Sequence, residues 1–407
     1  MARIIIRKII PMEDVKIEEN FLKQAIEISK GAEVLPNGVE ELAKLLQKSY
    51  YSKKPLRVKL GLDPTRPDLH LGHTVVMRKL KKFQELGHTI VLIVGGATAM
   101  VGDPSGKSET RPALSKEQVV ENAKTYFEQM SKVLDVTKAE VRNNADWLHS
   151  MKFTDFLKLA SATTVAKLMT RDDFAKRYAE GRPISPVEFF YPLMQGYDSV
   201  EVDADIEFGG TDQRFNLLMG RDIQAFYGLE KAQIAFMLPL IEGTDGVVKM
   251  SKTYPEHCIS LTETPKNMYG KLMSIPDELM EKYFTLLTDL EFNKENNPRD
   301  EKMRLAYEIT KMYNGKDEAD KAQNEFINVV QNKGVPDDVK EFKITGSNSV
   351  VDILVELGFA QSKGEAKRLI SGGGVKFEGE KISDVQAIIE KEGVLQGGKR
   401  KYAKIIP

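Results

Sequence analysis

The chain has 407 residues, more than one ordinary hydrophobic core organises, so two or three domains are expected. Hydrophobic residues make up 41% and charged residues 29%, the balance of a soluble globular protein, and no apolar run approaches the ~20 residues that span a bilayer. A net charge of -1 excludes any case for nucleic-acid binding from total charge, and the single cysteine, Cys258, excludes an internal disulfide and fits a reducing cytoplasm.

The opening MARIIIRKII is basic and aliphatic. Acidic residues follow at once and no small-residue cleavage site is present, so it reads as a short ordered or frayed N-terminus rather than a targeting peptide. Residues 13–50 are charged with helical apolar spacing, as at Leu42, Leu45 and Leu46. LRVKLGLD, Leu56–Asp63, reads as a strand ending at a glycine. HTVVMRKLKKFQELG follows as an amphipathic helix closed by Gly87, and TIVLIVGGA, Thr89–Ala97, as a strand buried on both faces. Strand, helix, strand in about 40 residues is a βαβ unit, so the front half is expected to be an α/β doubly wound parallel sheet.

Residues 115–185 read as mainly helical, an insertion or a helical layer. SVEVDADIEFGGTDQRFNLLMGRDIQAFYG returns to strand, glycine turn and helix, and residues 266–330 are again helical. NKGVPDD reads as a linker. From Ser349 a small α+β unit follows, with helices in VVDILVELG and SKGEAKRLISGG and a strand in GVKFEGEKI. The expected organisation is a helical segment at 1–50, a Rossmann-like domain with a helical insertion at 51–245, a loop and α-helical domain at 246–331, a linker at 332–348 and an α+β domain at 349–407.

Three stretches carry candidate chemistry. VGDPSGKSET contains Gly106-Lys107-Ser108, but a P-loop needs a glycine at position 101, where Val101 stands. DLHLGH places His70 and His73 three apart at the mouth of a helix. A metal pair, two capping or packing histidines, or imidazoles donating to a polyphosphate at a helix N-terminus are the readings open there. KMSKT, after the glycines of EGTDGVV, sets Lys249 and Lys252 on a loop that could close over phosphates, or on an ordinary solvated face.

In this order, about 180 residues apart, the last two stretches resemble the H-x-G-H and K-M-S-K-S signatures of class I aminoacyl-tRNA synthetases. Thr253 replaces the usual serine and keeps the hydroxyl. YPEHC, which follows, departs from the family pattern. Within the class, the chain from about Pro55 onward resembles bacterial tyrosyl-tRNA synthetases, through LGLDPTRPDLHLGH, GDPSGKSETRP, YPLMQGYDSVEVDADIEFGGTDQRFNLLMGRDI and the C-terminal module, which is similar to S4-type RNA-binding domains. The resemblance implies a Rossmann-like catalytic domain, an α-helical domain and an S4-like domain.

It also implies roles. Asp103, Tyr191 and Gln195 would hold the tyrosine ammonium, Asp198 would accept the phenol proton, and Gln213 would orient the carboxylate. Tyr191, Gln195 and Asp198, at i, i+4 and i+7, share one helix face. Gly61, Gly72 and Gly210 would let ATP approach the backbone, Asp63 and Thr65 would flank its phosphates, and Asp212 would take the ribose hydroxyls. His70, His73, Lys107, Arg111, Lys249 and Lys252 would meet the charge that moves toward pyrophosphate. Many family members carry a second phenol-binding tyrosine where this chain has Lys59.

ATP would be a substrate accompanied by Mg²⁺, with no dedicated metal site. Tyrosine and tRNA(Tyr) would be the other substrates. Residues 345–407 hold ten Lys/Arg against eight Asp/Glu, a net +2, and Lys363, Lys367 and Arg368 would line one helix face toward tRNA phosphates. The family works as a homodimer. Tryptophanyl-tRNA synthetase, with the same fold and signatures, and a non-catalytic RNA-binding protein on a synthetase scaffold are the alternatives. A dinucleotide enzyme is disfavoured, because no G-x-G-x-x-G follows the first strand.

Overall fold

The structure, a computed structural model, describes residues 16–63, 68–102, 124–251, 253–328, 339, 341–398 and 401–407. These fall into two compact units, one ending at Tyr313 and one beginning at Asn314.

The first unit is built on a six-stranded sheet of order β1-β6-β5-β2-β3-β4, with strands β1 (Glu33–Leu35), β2 (Arg57–Leu62), β3 (Thr89–Val94), β4 (Glu140–Asn143), β5 (Ile206–Gly210) and β6 (Ile234–Leu238). β1 pairs antiparallel with β6, and all other neighbours are parallel. The chain runs outward from β2 through β3 and β4, then returns to the other side of β2 for β5 and β6. This is the doubly wound order expected from the first βαβ unit. Its switch point lies between β2 and β5, and the carboxyl ends of strands at such a point are where sheets of this kind hold ligands.

The runs IVLIV of β3 and IAFML of β6 are buried throughout, as strands covered on both faces must be. The sequence reading missed β1, which lies within the stretch read as helical at 13–50, as well as β4 and β6. β4 lies inside the stretch read as helical, because its residues, EVRN, carry the charges of an edge strand.

Helices α1 (Glu19–Ser29) and α2 (Gly38–Ser52) flank β1. α3 (Leu71–Glu85) follows β2 and ends before Gly87 at φ +83°. Beyond β3 and β4 come α4 (Thr98–Val101), α5 (Ala145–Leu148), α6 (Phe153–Ala160), α7 (Val165–Leu168), α8 (Asp172–Ala179), α9 (Tyr191–Glu201) and α10 (Arg214–Phe226). The unit closes with α11 (Pro265–Met273), α12 (Met280–Leu287) and α13 (Pro298–Asn314).

α9 and α10 pack through two glycines. A Cβ on Gly196 would lie 3.2 Å from Gly220 Cα and 2.6 Å from Ile223 Cδ1. That contact brings the Tyr191–Asp198 face against the sheet.

The second unit holds α14 (Lys316–Phe326), α15 (Val350–Glu356), α16 (Lys363–Ser371) and a five-stranded sheet of order β7-β11-β10-β8-β9. Its strands are β7 (Glu341–Lys343), β8 (Val375–Phe377), β9 (Glu380–Lys381), β10 (Gly393–Gly397) and β11 (Lys401–Ile406). Val350, Ile353, Leu354, Ala366, Ile370, Leu395 and Ile405 form its core. GVKFEGEKI, read as one strand, is a hairpin, because Glu378 and Gly379 both take positive φ, +53° and +82°. β7 lies within the stretch expected to be a linker and pairs parallel with β11. NKGVPDD itself lies outside the described residues.

The Gly196–Gly220 contact yields a prediction. Gly196→Val forces a branched side chain between α9 and α10 and lowers stability by about 1–3 kcal/mol, measured by chemical denaturation.

Candidate active site

The two signature stretches meet at the start of α3. His70 bridges Ser260 in antiparallel fashion, Leu71 N–H donates to the Ile259 carbonyl at 3.0 Å, and Leu261 N–H to the Leu69 carbonyl at 3.0 Å. The chain leaving the KMSKT loop is therefore stitched to the helix mouth that carries both histidines.

His70 and His73 do cap the helix. The Gly72 N–H donates to His70 Nδ1 at 3.1 Å and the His70 N–H to His73 Nδ1 at 3.2 Å, with ring centroids 4.0 Å apart. Capping and phosphate donation are compatible here. With Nδ1 accepting in both rings, the neutral tautomers carry their protons on Nε2. Gly72 first serves His70, since a Cβ there would lie 2.9 Å from the imidazole. Around Gly61, by contrast, a Cβ would meet nothing within 4 Å, which is open crevice. Lys249 Nζ lies 3.3 Å from Asp212 Oδ2, and a Cβ on Gly210 would sit 2.5 Å from Asp212 Oδ1.

The α9 face is built as the spacing requires. Tyr191 OH donates to Asp63 Oδ2 at 2.7 Å, and Thr98 Oγ1 to Asp63 Oδ1 at 3.0 Å. Asp63, expected beside phosphates, is thus bonded to Tyr191, a residue expected at the tyrosine ammonium. Gln195 Nε2 donates to Glu207 Oε1 at 2.9 Å, and its Oε1 accepts from Asn216 Nδ2 at 3.0 Å. Asn216 also donates to Gln213 Oε1 at 2.8 Å, which joins two expected tyrosine contacts in one network.

Asp198 is 3% exposed. Its Oδ1 accepts from Trp147 Nε1 at 2.8 Å and its Oδ2 from Asn144 Nδ2 at 3.2 Å. Burial pushes its pKa up to about 7, against the opposing pull of Lys59 and of the Trp147 and Asn144 donors.

Lys59 is fully buried. Its ammonium donates to the Gln195 carbonyl at 2.8 Å, Ser199 Oγ at 2.7 Å and Glu207 Oε1 at 3.0 Å. An ammonium has three protons, and these contacts use all of them. Lys59 therefore has no donor left for a phenol.

Asp103, Lys107, Arg111, Thr65 and Lys252 lie outside the described residues. In the second unit Lys363, Lys367 and Arg368 are exposed on α16 while Ala366 and Ile370 face the core, and Lys363 pairs with Asp352 at 2.7 Å. Among the described residues no group of three or more His, Cys, Asp or Glu could hold a metal. Sequence reasoning missed Asn144, Trp147, Glu207 and Asn216. The one available signal was the chain's single tryptophan, in NNADWL.

The Asp198 contacts generate a test. Trp147→Phe removes a donor that the carboxylate needs and the neutral acid does not. It costs about 1–3 kcal/mol of stability at pH 8.5, where Asp198 is charged, and clearly less at pH 5.5, by denaturation at both values.

Residues 51–331 match the profile of tRNA synthetases class I (W and Y), and residues 331–405 that of a tyrosine–tRNA ligase SYY-like C-terminal domain. The tyrosine–tRNA ligase of Thermotoga maritima is 55% identical over 87% of this chain and 91% of its own length. That of Carboxydothermus hydrogenoformans is 50% identical over 97% and 99%. A C-terminally truncated mitochondrial tyrosyl-tRNA synthetase from Aspergillus nidulans superposes with a TM-score of 0.60 at 22% identity, covering 78% of this chain and 94% of that one. The tyrosyl-tRNA synthetase of Archaeoglobus fulgidus, solved with L-tyrosine, gives 0.59 at 20%, covering 74% and 99%. The two structural neighbours speak to the fold alone. The curated relatives favour the tyrosine enzyme over both the tryptophan enzyme and a non-catalytic scaffold, and the chain belongs to the tyrosine–tRNA ligase family of class I aminoacyl-tRNA synthetases.

Proposed function

We propose that the crevice at β2 and β5 activates L-tyrosine with ATP and passes the tyrosyl group to tRNA(Tyr), with Asp198 reading the phenol. One observation carries the assignment of that residue. A carboxylate accepts about four hydrogen bonds, and the buried Asp198 takes one each from Trp147 and Asn144 on the face it shares with Tyr191 and Gln195. It has capacity for a phenol O–H at the bottom of the site. Asp103, Tyr191 and Gln195 hold the ammonium, and Gln213 orients the carboxylate.

No side chain has to act as a nucleophile. The tyrosine carboxylate attacks the α-phosphate of ATP, the bond to the β-phosphate breaks, and tyrosyl-adenylate and pyrophosphate result. A ribose hydroxyl of the terminal adenosine of the tRNA then takes the acyl group and AMP leaves. Catalysis is positioning and charge stabilisation. Donors on His70 and His73 at the α3 mouth, with Lys107, Arg111, Lys249 and Lys252, meet the growing charge on the pyrophosphate. Mg²⁺ enters with ATP as part of the substrate. Asp212 exchanges Lys249 for the ribose hydroxyls, Gly61 and Gly210 give the nucleotide room, and Thr65 stands beside the phosphates. Lys363, Lys367 and Arg368 contact tRNA phosphates from an S4-like domain.

The chain acts in the cytoplasm as a homodimer. Phe153 at 74% exposure, with Leu157, Val165 and Tyr178, leaves apolar surface on the consecutive helices α6, α7 and α8, which a second subunit covers.

Two outcomes test this. A site built to bond a hydroxyl rejects the analogue lacking it by about 10⁴–10⁵, and tyrosyl-tRNA synthetases are the standard case. Asp198→Ala lowers the ratio of tyrosine to phenylalanine kcat/KM in ATP–pyrophosphate exchange by at least about 100-fold, and an unchanged ratio removes Asp198 from phenol recognition. Phe153→Asp shifts the dimer toward monomer in analytical ultracentrifugation.

A further inference from the structure

Lys59 and Glu207 sit on adjacent central strands, β2 and β5, both at 0% exposure. Burying one ion pair in a sheet gives little or no stability over an apolar pair of the same volume, so its presence calls for another reason. The partners point to one. The Lys59 ammonium holds the Gln195 carbonyl and Ser199 Oγ, while Glu207 accepts from Gln195 Nε2, Ser199 Oγ and Gln233 Nε2. Gln195 and Ser199 lie on α9 on either side of Asp198.

We propose that the buried Lys59–Glu207 pair is a specificity-determining positioning device: it fixes the α9 face that carries Gln195 and Asp198 and sets the charge around the Asp198 carboxylate that reads the substrate phenol. This rests on the assignment of Asp198 as the phenol acceptor. All three protons of the Lys59 ammonium are used by protein partners, so it acts on the acceptor through its charge and not as a second hydrogen-bond donor to the phenol.

The groups acting on Asp198 come from each element around it. β2 contributes the Lys59 cation, which favours the carboxylate, and β5 contributes the Glu207 anion, which disfavours it more weakly. α5 and the residue before it contribute the neutral donors Trp147 and Asn144, with the Arg142 guanidinium stacked over the outer side of the indole at 5.5 Å. Asp63 stands two hydrogen bonds beyond Asn144, through Thr98. A protonated Asp198 loses acceptor capacity, so tyrosine kcat/KM falls as pH drops through the titration of this group.

The test is the pH profile of tyrosine kcat/KM in ATP–pyrophosphate exchange, from pH 6 to 9, for the wild-type chain, Lys59→Met, Glu207→Gln and the double variant, with folding followed by circular dichroism. Removing the cation moves the acid limb up by about one pH unit, and removing the anion moves it down. In Lys59→Met at pH 7 the tyrosine KM rises about tenfold, kcat changes less and the KM for ATP holds. Should Lys59→Met fail to fold, the double variant leaves no lone buried charge and still shifts the limb upward, because Lys59 outweighs Glu207 at Asp198. Shifts of opposite sign support the proposal. Folded variants with lower rates but an unmoved limb, or limbs that move the same way, overturn it in favour of a packing role. A wild-type chain without tyrosine-dependent exchange would instead overturn the functional assignment itself.

Discussion

The proposed site depends on a carboxylate, Asp198, that has to accept a hydrogen bond while cut off from water. Placing Asp198 at 3% exposure disfavours its charge, and a neutral acid there would be a poorer acceptor for a phenol. Apart from the Glu207 anion, the groups packed around it work against that penalty. An indole and an amide donate to it, and an ammonium on the neighbouring strand favours its ionised form. The result is a group poised near 7 rather than near its ordinary value, in the range where an acceptor can be gained or lost with modest changes in its surroundings.

The fold exists to hold those surroundings still. β2 and β5 are the central pair of the doubly wound sheet, and their side chains facing α9 include one cation and one anion. Gly196 and Gly220 let α10 press α9 close enough for Lys59 to reach both Gln195 and Ser199. The nucleotide side is organised by the same sheet from the end of β2. His70 and His73 use their inner nitrogens to cap α3, which orients the outer ones, and residues 259–261 pair with residues 69–71 so that the lysine loop departs from the same spot. Lys249 rests on Asp212, which links the loop to the turn that follows β5.

What could be read from the sequence was local. The histidine and lysine signatures and the i, i+4, i+7 face of α9 are contiguous patterns; their spacing leaves several readings open, and their roles are implied by the family resemblance. β2, α3 and β3 declared themselves through one apolar run, one amphipathic run and a glycine. What could not be read was long-range or disguised. Trp147 lies 51 residues from the carboxylate it serves, and Glu207 lies 148 residues from Lys59. Lys59 in RVKLGL looks like an ordinary polar position of an alternating strand, and only the sheet register places it opposite Glu207. β4 and β7 carry the charges of edge strands, so neither their composition nor their length distinguishes them from loop.

The most direct measurement is the pH dependence of kcat/KM for tyrosine and for phenylalanine on the same wild-type preparation. The account predicts an acid limb near pH 7 with tyrosine and none with phenylalanine, which offers no hydroxyl for Asp198 to accept. The same limb with both amino acids, or none with either, would contradict it and place the titrating group away from the phenol.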